Sequence, residues 1–216
     1  LEPLARFLLN QSNHDILSEA KKYLSTKNKV ESVEDALSFA RDIVAEIINE
    51  DVEIRAGVRN LFLNTAQIRS RVKKDKQEDG IKFKDYFDWS EKACMAPSHR
   101  ILAMLRGQKE SILSVNVLPE EISVLSLIES RYIKNQSRSA LQVLTAIKDS
   151  YKRLLSKSIE KETIHQLKSL ADETAIGIFA GNLKELLLSA PLGQKRILAI
   201  DPGFRTGCKV VCLDAQ

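Results

Sequence analysis

This sequence predicts a mainly α protein: a multi-helix region with one short strand, followed by an incomplete β-hairpin at the C-terminal end. Three observations carry that expectation. Apolar residues recur at helical spacing across most of residues 1–191. Helix breakers are scarce, with 8 Gly and 5 Pro among 216 residues of which 44% are hydrophobic and 29% charged, a balance that favours helix. The final stretch departs from this pattern. Ile197-Leu198-Ala199-Ile200-Asp201 is a short apolar run, Pro202-Gly203 a turn, and a second run leads from Cys208 to Leu213, which reads as strand, turn and strand.

Taken in order, Ser32 ahead of Val33-Glu34-Asp35 has the form of a capping box. Ala36, Leu37, Ala40, Ile43, Val44, Ile47 and Ile48 then share one helical face. A second helix starts near Asp51 and carries Ile54, Val58, Leu61, Phe62, Ile68 and Val72 on one stripe, so it is expected to run out into Lys73, Lys74, Asp75 and Lys76. Residues 77–97 hold Gly80, alternating charges and the rings of Phe83, Tyr86, Phe87 and Trp89. They are expected to form a loop and short turn anchored to the core by those rings. Pro97 stands where the next helix begins, Ser98 is available as its cap, and Gly107 is placed at its end. Residues 112–118 alternate as a short strand that Pro119 stops.

Residues 120–190 read as two or three helices. One stripe is Leu141, Leu144, Ile147, Tyr151, Leu154 and Leu155. Another is Ile164, Leu167, Leu170, Ala171, Ala175, Ile178 and Phe179, continuing through Leu183, Leu186 and Leu187 to Pro191 and Gly193. A lone hairpin is marginal in water, so residues 197–213 are expected to open a larger sheet in a longer protein. The expected divisions are 1–118, 119–192 and 193–216.

No apolar run approaches the ~20 residues of a membrane span. Three cysteines, Cys94, Cys208 and Cys212, give no even-numbered framework, so a reducing, cytoplasmic setting is expected. The net charge of +4 permits nucleic-acid contact without demanding it.

Two basic groups are the candidate binding residues. Arg69, Arg71, Lys73, Lys74 and Lys76 form the densest cluster. As phosphate contacts they give sequence-independent, salt-sensitive binding; as a helix end they are a solvated terminus that complements the dipole. Ser98, His99, Arg100, Arg106 and Lys109 lie on or just after a short helix, whose N-terminus could meet a phosphate. The alternative is that His99 and Arg100 pair with Asp85, Asp88 or Glu91 and hold the aromatic segment. The rings themselves could stack on bases or pack in the core.

The turn from Gly203 to Gly207, with Arg205 and Thr206, could cradle a phosphate, and Arg205 is a further candidate contact. It lacks the Lys-Ser/Thr ending of a P-loop and leads into a strand, so a nucleotide-binding loop is not expected there. Cys208 and Cys212 share a strand face and are expected to be small core residues rather than zinc ligands. No cofactor or metal is expected.

Longer runs carry a resemblance. These are Ala171-Asp172-Glu173-Thr174-Ala175-Ile176, Phe179-Ala180-Gly181-Asn182-Leu183, Leu186-Leu187-Leu188-Ser189-Ala190-Pro191 and Ile200-Asp201-Pro202-Gly203-Phe204-Arg205-Thr206-Gly207-Cys208-Lys209-Val210. Tyr86-Phe87-Asp88-Trp89-Ser90-Glu91, Pro97-Ser98-His99-Arg100 and Leu105-Arg106-Gly107 precede them, with Glu34-Asp35-Ala36-Leu37 and Ala40-Arg41-Asp42-Ile43-Val44-Ala45-Glu46 nearer the start. In this order they resemble the bacterial Tex family of transcription accessory proteins. The resemblance implies a longer protein with a helical N-terminal region, an RNase H-like domain of the YqgF type, helix-hairpin-helix elements and an OB-fold that binds RNA. It implies that this chain covers part of the helical region and the first hairpin of the RNase H-like domain.

The function so implied is a non-catalytic scaffold that binds RNA or single-stranded nucleic acid, with RNA polymerase or other transcription factors as further partners. Two rivals follow. One is a metal-dependent nuclease in the intact protein, because active RNase H-like enzymes hold Mg²⁺ with an aspartate at the position Asp201 occupies here. Such chemistry needs several converging carboxylates, and this hairpin carries only Asp201 and Asp214; the alternative is an aspartate that shapes the turn. The other rival is a protein-interaction module, which an exposed apolar patch beyond a few hundred Å² favours.

Overall fold

Aspartate and serine side chains cap several helix starts in the computed structural model, which describes residues 1–12, 14–25, 30–203 and 207–215. Helix α1 (Glu2–Asn10) leads to α2 (Ile16–Lys21), where the Asp15 carboxylate accepts from the backbone N–H groups of Leu17 and Ser18. The capping box before α3 (Val33–Glu50) is complete: Ser32 Oγ accepts from Asp35 N at 3.1 Å and the Asp35 carboxylate accepts from Ser32 N at 2.9 Å. Asp51 caps α4 (Val52–Thr65) through the N–H groups of Glu53 and Ile54.

The same aspartate ties α4 to the end of α6 (Glu121–Tyr132). It accepts from Arg131 Nε at 2.7 Å and from Tyr132 Oη at 2.8 Å. Burial, then that bond, push the Tyr132 phenol up to about 12. Gln11, held at a left-handed φ of 53° after α1, is buried, and its side chain donates to Tyr132 O and accepts from Lys134 N.

The structure is mainly α, with two small antiparallel sheets, and divides into two units, Leu1–Ala175 and Ile176–Gln216. In the first unit the helices enclose a core that includes Leu4, Leu8, Val44, Ile48, Phe62, Ile128, Ile147 and Leu155. A second core lies beneath a three-stranded sheet of order β2-β1-β3: β1 (Gln67–Val72), β2 (Asp88–Lys92) and β3 (Leu113–Leu118).

Strand β1 corrects the expectation of a helix running out to Lys76. Helix α4 stops at Thr65, and the chain turns extended at Ala66. Ile68 and Val72 are four residues apart, a spacing that keeps a helical face and a strand face alike. The deciding pattern is the alternation of exposed Gln67, Arg69 and Arg71 with inward Ile68, Ser70 and Val72. Residues 77–97 likewise hold more than a loop: a 3₁₀ turn (Ile81–Tyr86), strand β2 and a second 3₁₀ turn (Ala93–Met95). The rings pack as expected, with Phe83 buried and Tyr86, Phe87 and Trp89 against the second core.

Helix α5 (Ser98–Lys109) covers that core. Its N-cap is Pro97 rather than Ser98; the extended proline offers its carbonyl to the N–H groups of Arg100 and Ile101. Gly107 does not end the helix. A Cβ there would stand 2.5 Å from Leu113 Cδ1, so the glycine permits close approach of α5 to β3.

After α7 (Arg138–Asp149) the helix widens into a π turn (Ser150–Leu155) before α8 (Ser156–Leu187). Val143, Ile147, Tyr151, Leu155 and Ile159 are all buried. A strict spacing of four drifts ~40° per step on an α-helix, and the wider turn takes out part of that drift. The buried stripe therefore runs through Val143 and Ala146, while Leu141 is exposed.

In the second unit α8 continues to Leu187, and β4 (Ile197–Gly203) pairs with β5 (Gly207–Leu213) in a hairpin, but Pro202 and Gly203, expected as its turn, belong to β4 and pair with Cys208 and Gly207. Cys208 and Cys212 are exposed free thiols, not core residues. Ile176, Phe179, Leu183, Leu186, Leu187 and Leu188 are exposed as well.

Candidate nucleic-acid interface

The pleat of the three-stranded sheet sorts its residues onto two faces. One face carries Ile68, Ser70, Val115 and Val117 down onto Met104 of α5. The other is open and almost wholly polar. The register sets Gln67 between Lys92 and Leu118, Arg69 between Ser90 and Asn116, and Arg71 between Asp88 and Ser114. Two arginines thus occupy successive outward positions of the central strand, with Lys92 on the neighbouring strand. Arg71 faces Asp88 at 3.9 Å, an exposed and loose pair. Among the described residues Arg69 and Lys92 have no carboxylate partner.

Beyond β1, Lys73 and Lys74 are exposed on the turn that follows. Lys76 is engaged by Asp79 at 2.8 Å, which raises the lysine and lowers the aspartate. The densest basic cluster of the sequence is therefore a strand plus its turn, with Arg69 and Arg71 on the open face and Lys73 and Lys74 exposed beyond it.

The second basic group lies on the other side of the sheet, because α5 packs against the covered face. Arg100 Nη1 donates to Glu91 Oε2 at 3.0 Å, and its guanidinium lies 5.0 Å from the centre of the Trp89 ring. Trp89 Nε1 donates to the same Glu91 at 2.9 Å. Arg106 Nε donates to Glu110 at 3.0 Å, and Lys82 pairs with that carboxylate too. The bond from Lys82, then the one from Arg106, hold Glu110 below the usual carboxylate range. Ser98 is half-buried, whereas His99 and Lys109 are exposed. Arg100 thus takes the ion-pair alternative. Arg205 lies outside the described residues.

At the edge bearing Gln67, Lys92 and Leu118 the open face runs into a cavity of about 760 Å³. Its far wall is the start of α6 with Glu120 and Glu121, and the π turn with Tyr151 and Lys152. Lys92 and Lys152 were not among the candidate binding residues of the sequence, and Tyr151 was expected only on a buried helical stripe. The outward alternation Asp88, Ser90, Lys92 was a usable signal for Lys92; nothing local pointed to Tyr151 or Lys152 as cavity residues.

In the hairpin, Asp201 is exposed opposite Lys209. No group of three or more His, Cys, Asp or Glu among the described residues is placed to hold a metal ion. No helix among them is long and apolar enough to cross a membrane.

Fold and site define a mainly helical protein that carries, beside its helical core, a small sheet with one packed face and one open, cationic face. The chain belongs to the Tex family: the family described as "Tex central region-like" matches residues 11–179. It is 38% identical to the uncharacterized protein YdcI of Bacillus subtilis over 99% of its own length and 30% of that protein. It is 34% identical to protein tex of Bordetella pertussis, again over 99% of this chain and 29% of the relative. The human S1 RNA-binding domain-containing protein 1 is 25% identical over 99% of this chain and 22% of its own length. The chain therefore spans about 30% of the length of these two bacterial relatives.

Proposed function

We propose that this chain is a nucleic-acid-binding part of a transcription accessory protein, a non-catalytic scaffold that holds RNA or single strands in the cytoplasm. The observation that supports it is the open sheet face, where Arg69 and Arg71 project side by side next to Lys92. Exposed cations with a loose carboxylate partner, as Arg71 has, or with none, as Arg69 and Lys92 have, bind phosphates with little regard to sequence. Lys73 and Lys74 extend the same field along the following turn. One relative is named for an S1 RNA-binding domain and another is named a transcriptional accessory protein, and both names agree with this role.

A second reading, contact with RNA polymerase or another transcription factor, draws on a different observation. Ile176, Phe179, Leu183, Leu186 and Leu187 fall on one helical face and are all exposed.

Fluorescence anisotropy with a labelled single-stranded RNA and the matching DNA, repeated over a salt series, tests the first reading. Micromolar binding that weakens steeply with salt is expected, each phosphate contact adding about 0.7 to the log–log slope for a single strand. Absence of binding at low salt contradicts it.

A further inference from the structure

The cavity beside the open face is furnished beyond what phosphate contact requires. Its volume of about 760 Å³ lies within the ~300–1,000 Å³ of small-molecule sites, whereas a strand laid on a sheet needs no cavity. Three cations border it, Arg69, Lys92 and Lys152, and none has a carboxylate partner among the described residues. Tyr151 lines it while only 5% exposed, and its hydroxyl has no hydrogen-bond partner among the described residues. The hydroxyl itself is not enclosed, so it can meet a molecule in the cavity. Tyr151 and Lys152 also belong to the π turn Ser150–Leu155, a local geometry that is rare and concentrates at functional sites.

The remaining lining decides the class of ligand. Cations alone accept any polyanion, but the exposed carboxylates of Glu120 and Glu121 stand at the same cavity and repel one. The combination fits a molecule with an anionic group at one end and hydrogen-bond donors at the other. A ribonucleotide is such a molecule: its phosphate suits the arginine and lysines, and its ribose hydroxyls suit the carboxylates and the Tyr151 hydroxyl. Acidic side chains accept from ribose hydroxyls in nucleotide sites, and the 2′-hydroxyl is the group that separates RNA from DNA. Leu118, on the rim, adds an apolar surface on which a base can lie.

We propose that this cavity is a ribonucleotide subsite, and that it receives one nucleotide of an RNA strand crossing the open face. The inference rests on the nucleic-acid reading above. A free ribonucleotide offers the same chemistry, so the test separates the two sources.

The test uses the 216-residue chain and its Tyr151→Phe, Lys152→Glu and Arg71→Glu variants. Each is titrated into labelled single-stranded RNA and DNA of one sequence, with adenosine monophosphate and inorganic tripolyphosphate as competitors. Tyr151→Phe keeps the buried ring and removes only the hydroxyl. It is expected to reduce the preference for RNA over DNA by roughly fivefold while leaving DNA affinity unchanged. Lys152→Glu is expected to weaken RNA binding by at least about fivefold. The monophosphate should compete better than tripolyphosphate despite its smaller charge.

Unchanged RNA affinity and preference in both cavity variants, with Arg71→Glu weakened, overturns the subsite and leaves the open face standing. The reverse result, Arg71→Glu unchanged and Lys152→Glu weakened, supports the subsite and removes the face. Monophosphate binding that Lys152→Glu abolishes, without any RNA binding, assigns the subsite to a free nucleotide. Equal competition by tripolyphosphate overturns the ribose assignment, since charge alone then explains the site.

Discussion

The two sides of the three-stranded sheet hold the same kind of residue in opposite circumstances. On the covered side Arg100 and Arg106 are engaged by Glu91 and Glu110, and Arg100 also lies over Trp89. On the open side Arg69 has no carboxylate partner among the described residues and Arg71 has only a loose one. An arginine engaged by a carboxylate and a ring holds structure together, and its charge is largely cancelled for an incoming phosphate. An arginine without such partners keeps its full field. Basic residues of one chain therefore divide by surroundings, and only the open set suits an anionic polymer.

The largest effect that should separate the sides is on stability. Met104→Ala, beneath the covered face and fully buried, is expected to cost about 2–5 kcal/mol. Arg69→Ala, on the open face, should stay within about 0.5 kcal/mol. Urea unfolding of the two variants measures both, and comparable losses would break the comparison. Arg100→Ala comes next. Losing the Glu91 pair and the Trp89 contact is expected to cost about 1 kcal/mol, with no change in nucleic-acid affinity.

How far the sequence reveals this division depends on the element. Caps and helix faces are legible because they are local: Ser32 with Asp35, and Asp51, need only their next three residues. The hairpin at residues 197–213 is legible for the same reason. Strand β1 is obscured because Ile68 and Val72 satisfy a helical period as well as a strand period. The division of the arginines is not local at all. It depends on which face of β1 the helix α5 covers, a fact of long-range packing. The cavity is further removed still, since Lys92 and Lys152 approach it from elements 60 residues apart in sequence. The apolar stripe from Ile176 to Leu187 is plain in the sequence, yet its residues are exposed within the described structure.

Smaller effects sharpen the comparison. Ser70 is buried on the covered face, and its hydroxyl has no partner among the described residues. Ser70→Ala should raise stability by up to about 1 kcal/mol, read from the urea midpoint. The acid response of the covered side is smaller again. Lys82, then Arg106, lower the Glu110 carboxyl. Its contribution is fully present above the ordinary glutamate value of about 4.3 and is lost as pH falls through the lower folded value. The difference in Tm between wild type and Glu110→Gln should therefore be present at neutral pH and close as the solution is acidified below about pH 4. A difference that grows on acidification would reverse the sign of this coupling.

The most direct measurement compares two charge-neutralising pairs on one labelled single-stranded RNA over a salt series: Arg69→Gln with Arg71→Gln, and Arg100→Gln with Arg106→Gln. The open-face pair should lower the log–log salt slope by about 1.4, two phosphate contacts at ~0.7 each, with Tm nearly unchanged. The covered-side pair should leave the slope alone and lower Tm. Equal slopes for the open-face pair and wild type, or a slope lost only in the covered-side pair, would contradict the assignment of the open face as the binding surface.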